Sequence, residues 1–364
     1  MIVKEVTAIL EELAPLAYAE DFDNVGLLVG RADTEVSGVL VTLDTLENVV
    51  DEAIAKKCNL IVSFHPIIFQ GLKKLNGATY VERVVIKAIQ HNIAIYSMHT
   101  ALDNAMEGVN GKICDMLGLG KRKILIPKKG TIKKLSTYVP KADAAVLKEA
   151  LFAAGAGNIG NYSHCSFTAE GTGSYQAGEN ANPTKGAIGK THYEEETQIN
   201  VTYRKANEAQ VLTSLLKNHP YEEVAYELFT LENRDQQIGM GMIGELHVPM
   251  GEQAFLKLIK DKMQVSVIRH SKLLGKKVKR VAVLGGSGAF AIAAAKAAKA
   301  DFFISADLKY HQFYEAENQI VLADIGHYET EQFTKQLLVD HLTKKIPNFA
   351  ISLSESITNP IKYF

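Results

Sequence analysis

Alternating strand-like and helix-like segments at both ends of the chain constrain the fold more than any other feature. In the first part, β-branched strand patterns lie at 37–44, 60–65 and 93–99. Helix patterns with an apolar face lie beside them at 3–13, 45–57 and 80–92. The last part repeats this order, with strand patterns at 279–286, 301–307 and 319–327 and helix patterns at 289–300 and 329–345. This alternation predicts an α/β domain built from two similar halves.

The segment between the halves has a different pattern. From 128 to 232 the order is strand, helix, strand, strand, helix, strand, which is the ferredoxin-like arrangement. Such a sheet is covered by two helices on one face, so it can fold as a separate α+β domain. A glycine-rich stretch at 239–246 then leads back to the first domain. The sequence predicts a discontinuous α/β domain, 1–127 with 233–364, and a domain inserted at 128–232.

The balance of charge argues against nucleic acid and against an anionic membrane as partners. The chain has 40 basic and 41 acidic side chains, a formal net charge of -1. No overall field therefore attracts a polyanion. The short basic runs at 121–123, 128–129 and 276–277 are interpreted as solvated loop charges.

The distribution of apolar residues and cysteines indicates a cytoplasmic protein. No apolar run approaches the ~18 to 20 residues that a membrane span needs. The first residues mix Lys, Glu and apolar side chains in helical rhythm, unlike a signal peptide. Cys58, Cys114 and Cys165 are scattered and odd in number, so they make no disulfide framework and are interpreted as small buried side chains.

Candidate metal ligands lie at the ends of three strand patterns. They are His65 at the end of the second pattern, His99 at the end of the third with Asp103 just past it, and His327 at the end of the last with Glu331 four residues further on. The carboxyl ends of parallel strands meet at one edge of a sheet, where ligands usually bind. If a helix begins at His327, the spacing of four places His327 and Glu331 on the same helical face. Each candidate taken alone has a structural alternative, since a single strand-end histidine is common, but together they predict a nitrogen and oxygen metal site.

A glycine-rich turn at 285–288 is a further candidate. Its sequence, GGSG, lies between a strand and a helix and resembles a cradle for an anion such as phosphate. It lacks the spacing of a dinucleotide-binding loop and the lysine of a P-loop. A tight turn with close strand–helix packing is therefore the favoured interpretation, and the anion cradle remains the alternative.

Four stretches taken in order resemble the signature segments of a known family. SFHPIIF, YSMHTALDNA, SADLKYHQ and DIGHYETEQ are similar to those of the NIF-three-like dinuclear-metal family, also called GTP cyclohydrolase 1 type 2 homologues. The resemblance covers essentially the whole chain. It implies a NIF-three-like α/β domain with an inserted domain similar to the PII/CutA group, and a toroidal homohexamer, a trimer of dimers.

The same resemblance implies a set of metal ligands. Carried over by position, they are His65, Asp103, His327 and Glu331, with Glu331 bridging two ions. Members of the family usually carry a second histidine directly before the first of these, where this chain has Phe64. An aromatic hydrocarbon cannot bind a metal, so we expect the ion held by His65, His327 and Glu331 to be the better occupied of the two. The other would be weak, rich in water or completed by His99.

Two functions of different classes remain open. The first is a hydrolase that uses one or two divalent ions, with zinc the first choice and Fe, Mn, Co or Ni as alternatives. In that case His99 or His311 is the candidate general acid or base, unless either only supports or packs beside the site. The second is a regulatory or ligand-binding assembly without catalysis, which the loss of a ligand at Phe64 favours slightly. The small-molecule substrate or ligand stays open in both.

Overall fold

The computed structural model describes all 364 residues of the protein. The chain divides into two compact units. One is formed by Met1–Pro127 together with Gln236–Phe364, and the other by Lys128–Asp235. No helix is both long enough and apolar enough to span a bilayer.

The first segment of the chain carries five strands and five helices. They are α1 Val3–Leu13, β1 Gly26–Val29, β2 Val39–Thr42, α2 Glu47–Ala55, β3 Leu60–Ser63, α3 Tyr80–Gln90, β4 Ala94–Ser97, α4 His99–Asp103, α5 Val109–Leu117 and β5 Leu119–Pro127. The strands β2, β3 and β4 consist largely of β-branched and other apolar residues and are buried throughout. Such runs are typical of parallel strands that are covered on both faces.

The second unit has the element order strand, helix, strand, strand, helix, strand. Its elements are β6 Ile132–Pro140, α6 Ala144–Ala153, β7 Ser166–Gln176, β8 Thr191–Arg204, α7 Glu208–Asn218 and β9 Tyr226–Thr230. The four strands form an antiparallel sheet in the order β7-β8-β6-β9. Leu147 and Leu151 of α6 and Val211 of α7 pack with sheet residues such as Leu135 and Ile199 in a single core. The unit thus has a hydrophobic core of its own.

The last segment returns to the first unit. Its elements are β10 Gly239–Gly251, α8 Glu252–Met263, β11 Arg269–His270, β12 Lys277–Ser287, α9 Ile292–Ala297, β13 Phe302–Ala306, β14 Val321–Asp324, α10 His327–Glu331, α11 Thr334–Lys345 and β15 Ile351–Leu353. Two sheets result, with the orders β1-β4-β3-β2-β15 and β11-β14-β13-β12-β10-β5. Strands β2, β3, β4 and β15 are parallel to one another, as are β12, β13 and β14.

The glycine-rich stretch at 239–246 is a strand, and its prediction as a connector was wrong. It lies between β5 and β12 as part of β10. A side chain at Gly244 would bring its Cβ within 2.9 Å of the Leu119 Cβ, and one at Gly239 would come within 2.2 Å of the Ile126 carbonyl oxygen. The glycines therefore permit close contact with β5.

The basic run at 121–123 lies in a strand, so its interpretation as a loop was also wrong. The three residues belong to β5, which is an edge strand of the second sheet. Arg122 pairs with Asp115, and Lys121 lies 3.4 Å from Glu245. Charged side chains on an edge strand discourage pairing with other chains, which gives the run a physical role.

The single helix predicted at 329–345 is divided in two. The first helix, α10, ends at Glu331, and α11 begins at Thr334. Between them, the Gln332 side chain donates to the carbonyl oxygens of Met263 and Glu329. The prediction for 289–300 was similarly too long, because the turn Ala289–Ala291 is a 3₁₀ helix and α9 ends at Ala297.

Candidate metal centre

The ends of two different sheets bring three metal-ligand side chains together. His65 follows β3 of the first sheet, and His327 opens α10 just after β14 of the second sheet. With Glu331 they form a group whose ligand atoms all lie within 4.8 Å of one another. The expectation that the candidate ligands meet at the edge of a single sheet was therefore wrong. Each half of the domain forms its own sheet, so the site lies between the edges of two sheets.

The two imidazoles face one carboxylate oxygen. His65 Nε2 lies 3.2 Å from Glu331 Oε2, and His327 Nε2 lies 3.3 Å from the same atom. The Glu331 side chain is only 4% exposed, and its Oε2 is buried without a hydrogen bond of normal geometry. A buried acceptor without a hydrogen bond calls for an ion or a water molecule. These residues therefore fit a divalent cation with nitrogen and oxygen ligands.

Local backbone structure explains how Glu331 reaches this position. Helix α10 begins at His327, which meets the condition set in the sequence analysis, so His327 and Glu331 share one face at a spacing of four. Opposite them, Gly286 has φ +69°. A Cβ at Gly286 would lie 2.5 Å from Glu331 Oε1 and 3.3 Å from His327 Nε2. The turn is glycine because the Glu331 and His327 side chains occupy the space that a side chain would need.

Three donors of this turn already have protein acceptors and are not free for an anion. The amide of Gly285 donates to Asn110 Oδ1 at 3.0 Å, and the amide of Gly286 donates to Thr330 Oγ1 at 2.9 Å. Ser287 Oγ donates to Asp307 Oδ2. Since these donors already have protein partners, the favoured interpretation as a tight turn with close packing agrees with the structure.

Each histidine around the site contacts an aspartate through Nδ1. Asp44 lies 2.8 Å from His65, Asp307 lies 2.6 Å from His327, and Asp23 lies 2.8 Å from His99. A carboxylate on Nδ1 fixes the ring orientation and leaves Nε2 free to act as a ligand. The two halves use the same arrangement, because Asp44 follows β2 beside β3 and Asp307 follows β13 beside β14.

These three aspartates were missed by the sequence analysis. For Asp44 and Asp307 a signal was available, since each is the last residue of a strand pattern, and the next strand pattern along the chain ends in a histidine. Asp23 lies outside any element, before β1, and gives no such signal. Only the folded chain brings it to His99 and to the Thr100 amide, which donates to Asp23 at 3.0 Å.

The charges of the site are mutually dependent. Burial disfavours a charged His65, but the carboxylates of Asp44 and Glu331 outweigh it and raise the pKa of His65 to about 10. The carboxylate of Glu331 favours a charged His327, burial disfavours it, and Asp307 favours it as well. Together they raise the pKa of His327 to about 9. Burial acts against the charge of Glu331, yet the two histidines lower its pKa to about 2. The carboxylate therefore stays ionised and needs positive charge beside it.

Asp103 lies at the end of α4 and outside the three-residue group. Its Oδ1 is buried without a hydrogen-bond partner. Burial, reinforced by the charge of Glu331, raises the pKa of Asp103 well above its ordinary value. Phe64 is fully buried, and its ring centroid lies 4.8 Å from that of His65 and 5.6 Å from that of His99. It packs beside the site without offering a ligand atom.

The two candidate acid–base histidines have different surroundings. The His99 ring lies 5.3 Å from the His65 ring, and its backbone has a strained φ of 25°. His311 is exposed, and its ring packs against Tyr310 and Tyr314 at 5.2 and 6.2 Å. His99 is thus beside the metal-ligand group, whereas the contacts of His311 are with surface tyrosines.

Comparison with known proteins places the chain in a family. The family model described as Duf34/NIF3 (NGG1p interacting factor 3) matches residues 1–360. The chain belongs to the Duf34/NIF3 family. A Bacillus subtilis relative named GTP cyclohydrolase 1 type 2 homolog is 35% identical and aligns over 99% of this chain and 98% of its own length. A Staphylococcus epidermidis protein of the same name is 33% identical over the full length of both chains.

Two solved structures are similar to this chain over their whole length and have the same mixed α/β fold. The structure of a Bacillus cereus protein related to NIF3 has a TM-score of 0.85 and 34% identity, covering 100% of this chain and 99% of that one. A Staphylococcus aureus protein has a TM-score of 0.77 and 29% identity with the same coverage. The family resemblance drawn from the four sequence segments is therefore confirmed.

Proposed function

We propose that this Duf34/NIF3 protein is a divalent-metal-dependent hydrolase whose ion is held by His65, His327 and Glu331. One observation carries the proposal: the buried Glu331 Oε2, without a normal hydrogen bond, lies 3.2 and 3.3 Å from the Nε2 atoms of the two histidines. Zinc suits this ligand set, and Fe, Mn, Co or Ni share the same chemistry.

The residues around the ligands have defined roles in this proposal. When bound, a divalent ion supplies a Lewis acid that lowers the pKa of water towards ~7. With an ion bound, Asp44 and Asp307 would accept the Nδ1 protons of His65 and His327 and leave each Nε2 atom as the ligand. His99 is held by Asp23 through Nδ1, so its Nε2 is the atom that would accept or donate a proton. His311 remains a second candidate for this role at the surface.

We propose that a second ion, where present, is bound more weakly by Asp103 and Glu331. The buried Oδ1 of Asp103 supports a ligand role, but Phe64 offers no donor. Metal content per chain measures this directly, by elemental analysis of native protein and a Phe64→His variant prepared identically. About one ion in the native protein and about two in the variant would support a single strong site. Two ions in both would assign the missing ligand to water or His99.

Relatives carry the name GTP cyclohydrolase 1 type 2 homolog, so GTP is the first substrate to test, followed by a panel of phosphoesters and amides. The assay compares metal-loaded native protein with a His327→Ala variant. We expect product release to fall at least ~10²-fold in the variant, because a ligand of the ion is lost. Equal rates for every substrate would contradict the hydrolase proposal and favour a role in ligand binding without catalysis.

We also propose that the protein forms a homohexamer in the cytoplasm, with inserted domains of the PII/CutA type. The family resemblance supports the assembly, and the three unpaired cysteines suit a reducing compartment. Light scattering coupled to size-exclusion chromatography tests the assembly. We expect a mass six times the 39.9 kDa of one chain.

A further inference from the structure

A cavity of 640 Å³ lies within the second unit, among β7, β8 and the segment that follows α7. Its walls include three tyrosines, Tyr138, Tyr175 and Tyr221, and a series of small residues on β7. This volume falls in the range of ~300 to 1,000 Å³ that is usual for small-molecule sites. The cavity is separate from the metal centre, since none of its lining residues belongs to that site.

Hydrogen bonds hold the cavity walls in place. The loop after β7 is joined to the segment after α7 by the Asn182 amide, which donates to Glu222 Oε1 at 2.8 Å, and by Thr184 Oγ1, which donates to the Pro220 carbonyl at 2.8 Å. Tyr175 donates through its hydroxyl to the Lys185 carbonyl at 2.9 Å. The walls of the cavity are therefore held by contacts within the unit itself.

The lining is acidic and has no basic side chain. Four glutamates line the cavity, Glu170, Glu196, Glu222 and Glu223, and no Lys, Arg or His does so. Glu170 has a cation nearby, Lys141 at 3.3 Å, but both side chains are more than half exposed. Such a surface pair contributes little. The cavity consequently favours a positively charged ligand.

Glu196 is the residue that points to a ligand most directly. It is 9% exposed, and its one side-chain partner is the Tyr221 hydroxyl, which donates to Oε1 at 3.0 Å. It forms no ion pair with a lysine, arginine or histidine. On β7, a Cβ at Gly173 would lie 2.1 Å from Glu196 Oε2, so the glycine leaves room for the carboxylate. A carboxylate this buried normally needs a cationic partner.

The arrangement of the carboxylates favours an organic cation over a metal ion. A metal requires several ligand atoms within a few ångströms of one another, and the group that meets this condition is at His65, His327 and Glu331. The glutamates of the cavity are not grouped in that way. Tyr175 and Tyr221, whose ring centroids lie 5.8 Å apart in an edge-to-face arrangement, both line the cavity, and aromatic rings attract ammonium groups. We propose that this cavity binds an aliphatic polyamine, with Glu196 contacting one of its ammonium groups.

Titration calorimetry with spermidine tests this inference on the full-length protein at low ionic strength. We expect saturable binding of one spermidine per chain. A Glu196→Gln variant keeps the shape of the side chain and removes its charge, and it should bind about tenfold or more weakly. The matched control is Glu149→Gln, which removes an exposed carboxylate of α6 outside the cavity and should leave the affinity within a factor of about two.

Two further ligands distinguish polyamine binding from apolar contact alone and from attraction of any cation. 1,8-Octanediol has a similar length without charge, and MgCl₂ at equal ionic strength supplies cations without a chain. The inference is overturned if spermidine shows no saturable binding, or if octanediol binds as tightly as spermidine. It is also overturned if Mg²⁺ displaces spermidine as efficiently as a second polyamine does, or if Glu149→Gln weakens spermidine binding as much as Glu196→Gln does. Should Glu196→Gln fail to fold, Glu223→Gln at an exposed position replaces it, and we expect that variant to bind spermidine about two- to threefold more weakly.

Discussion

At the scale of single residues, the site depends on the carboxylate that each histidine contacts through Nδ1, the ring nitrogen that does not face Glu331. The Nδ1 atoms of His65 and His327 contact Asp44 and Asp307, so their Nε2 atoms are directed at Glu331. Replacing such a partner typically weakens metal affinity ~10- to 100-fold. The aspartates are therefore as informative about the site as the ligands.

Replacement of Asp307 by Asn tests this directly. The amide cannot hold His327 as a carboxylate does, so we expect Asp307→Asn to weaken metal binding ~10- to 100-fold while the fold is retained. Competition with a chromogenic chelator measures the affinity. Asp340→Asn, on the exposed surface of α11, is the control and should not change it. An unchanged affinity in Asp307→Asn would remove the orienting role.

At the scale of elements, the turn between β12 and the 3₁₀ helix at Ala289–Ala291 is shaped by the ligands that it faces. Gly286 combines a positive φ of 69° with a Cβ position only 2.5 Å from Glu331 Oε1. Gly275 has almost the same φ, 71°, but nothing lies within 4 Å of its Cβ position. Both glycines therefore have a positive φ, but only Gly286 also lacks space for a Cβ.

This pair gives a matched comparison. Both Gly286→Ala and Gly275→Ala should reduce the free energy of unfolding, each by about 1 kcal/mol or more from backbone strain. Only Gly286→Ala should also displace Glu331 and lose metal binding, which elemental analysis measures. Retention of a full metal complement by Gly286→Ala would show that the turn and the ligand are not in close contact in solution.

A second element-scale feature holds the C-terminal segment against α2. Glu52 accepts hydrogen bonds from Ser354 Oγ, the Glu355 amide and the Ser356 amide and hydroxyl, and it pairs with Lys56 at 2.9 Å. Burial opposes the charge, but these donors lower the pKa of Glu52 to about 2. The contact follows β15 and helps to keep that strand beside β2.

Glu52 should therefore make stability depend on pH. Its pKa is lower in the folded state than the ordinary 4.5, so its contribution is complete above about pH 4.5 and is lost as the pH falls through about 2. We expect Glu52→Gln to lower the free energy of unfolding by about 1–3 kcal/mol at pH 7. Urea unfolding at pH 7 and pH 2.5 measures the difference, which should shrink at the lower pH. Glu47→Gln, which loses an exposed ion pair with Arg83, should lower the free energy of unfolding by under ~1 kcal/mol at both pH values.

At the scale of the whole molecule, the two units have separate cores. The core of Lys128–Asp235 is formed by α6, α7 and the four-stranded sheet, and Leu147 within it is fully buried. A unit with its own core can fold alone. We expect a fragment of residues 128–235 to unfold cooperatively, as followed by circular dichroism, and Leu147→Ala to destabilise it by about 2–5 kcal/mol. A fragment without a cooperative transition would contradict this.

Much of the fold could be predicted from local sequence pattern. Helix α1 and strands β2, β3 and β4 lie where periodicity and residue type placed them. These features depend on neighbouring residues, whose spacing alone decides which side chains share a face. For the same reason the proximity of His327 and Glu331 was predictable.

Other features were decided only by tertiary structure. The sequence does not specify that the two halves form separate sheets, that Asp23 reaches His99, or that Gly286 lies against Glu331. The charged run in β5 and the glycine-rich β10 were misassigned because their strand character depends on pairing with distant segments. The sequence by itself determined the residue types of the candidate site and their positions near strand ends. Packing between distant segments determined which of them meet, because those contacts join residues that local periodicity cannot relate.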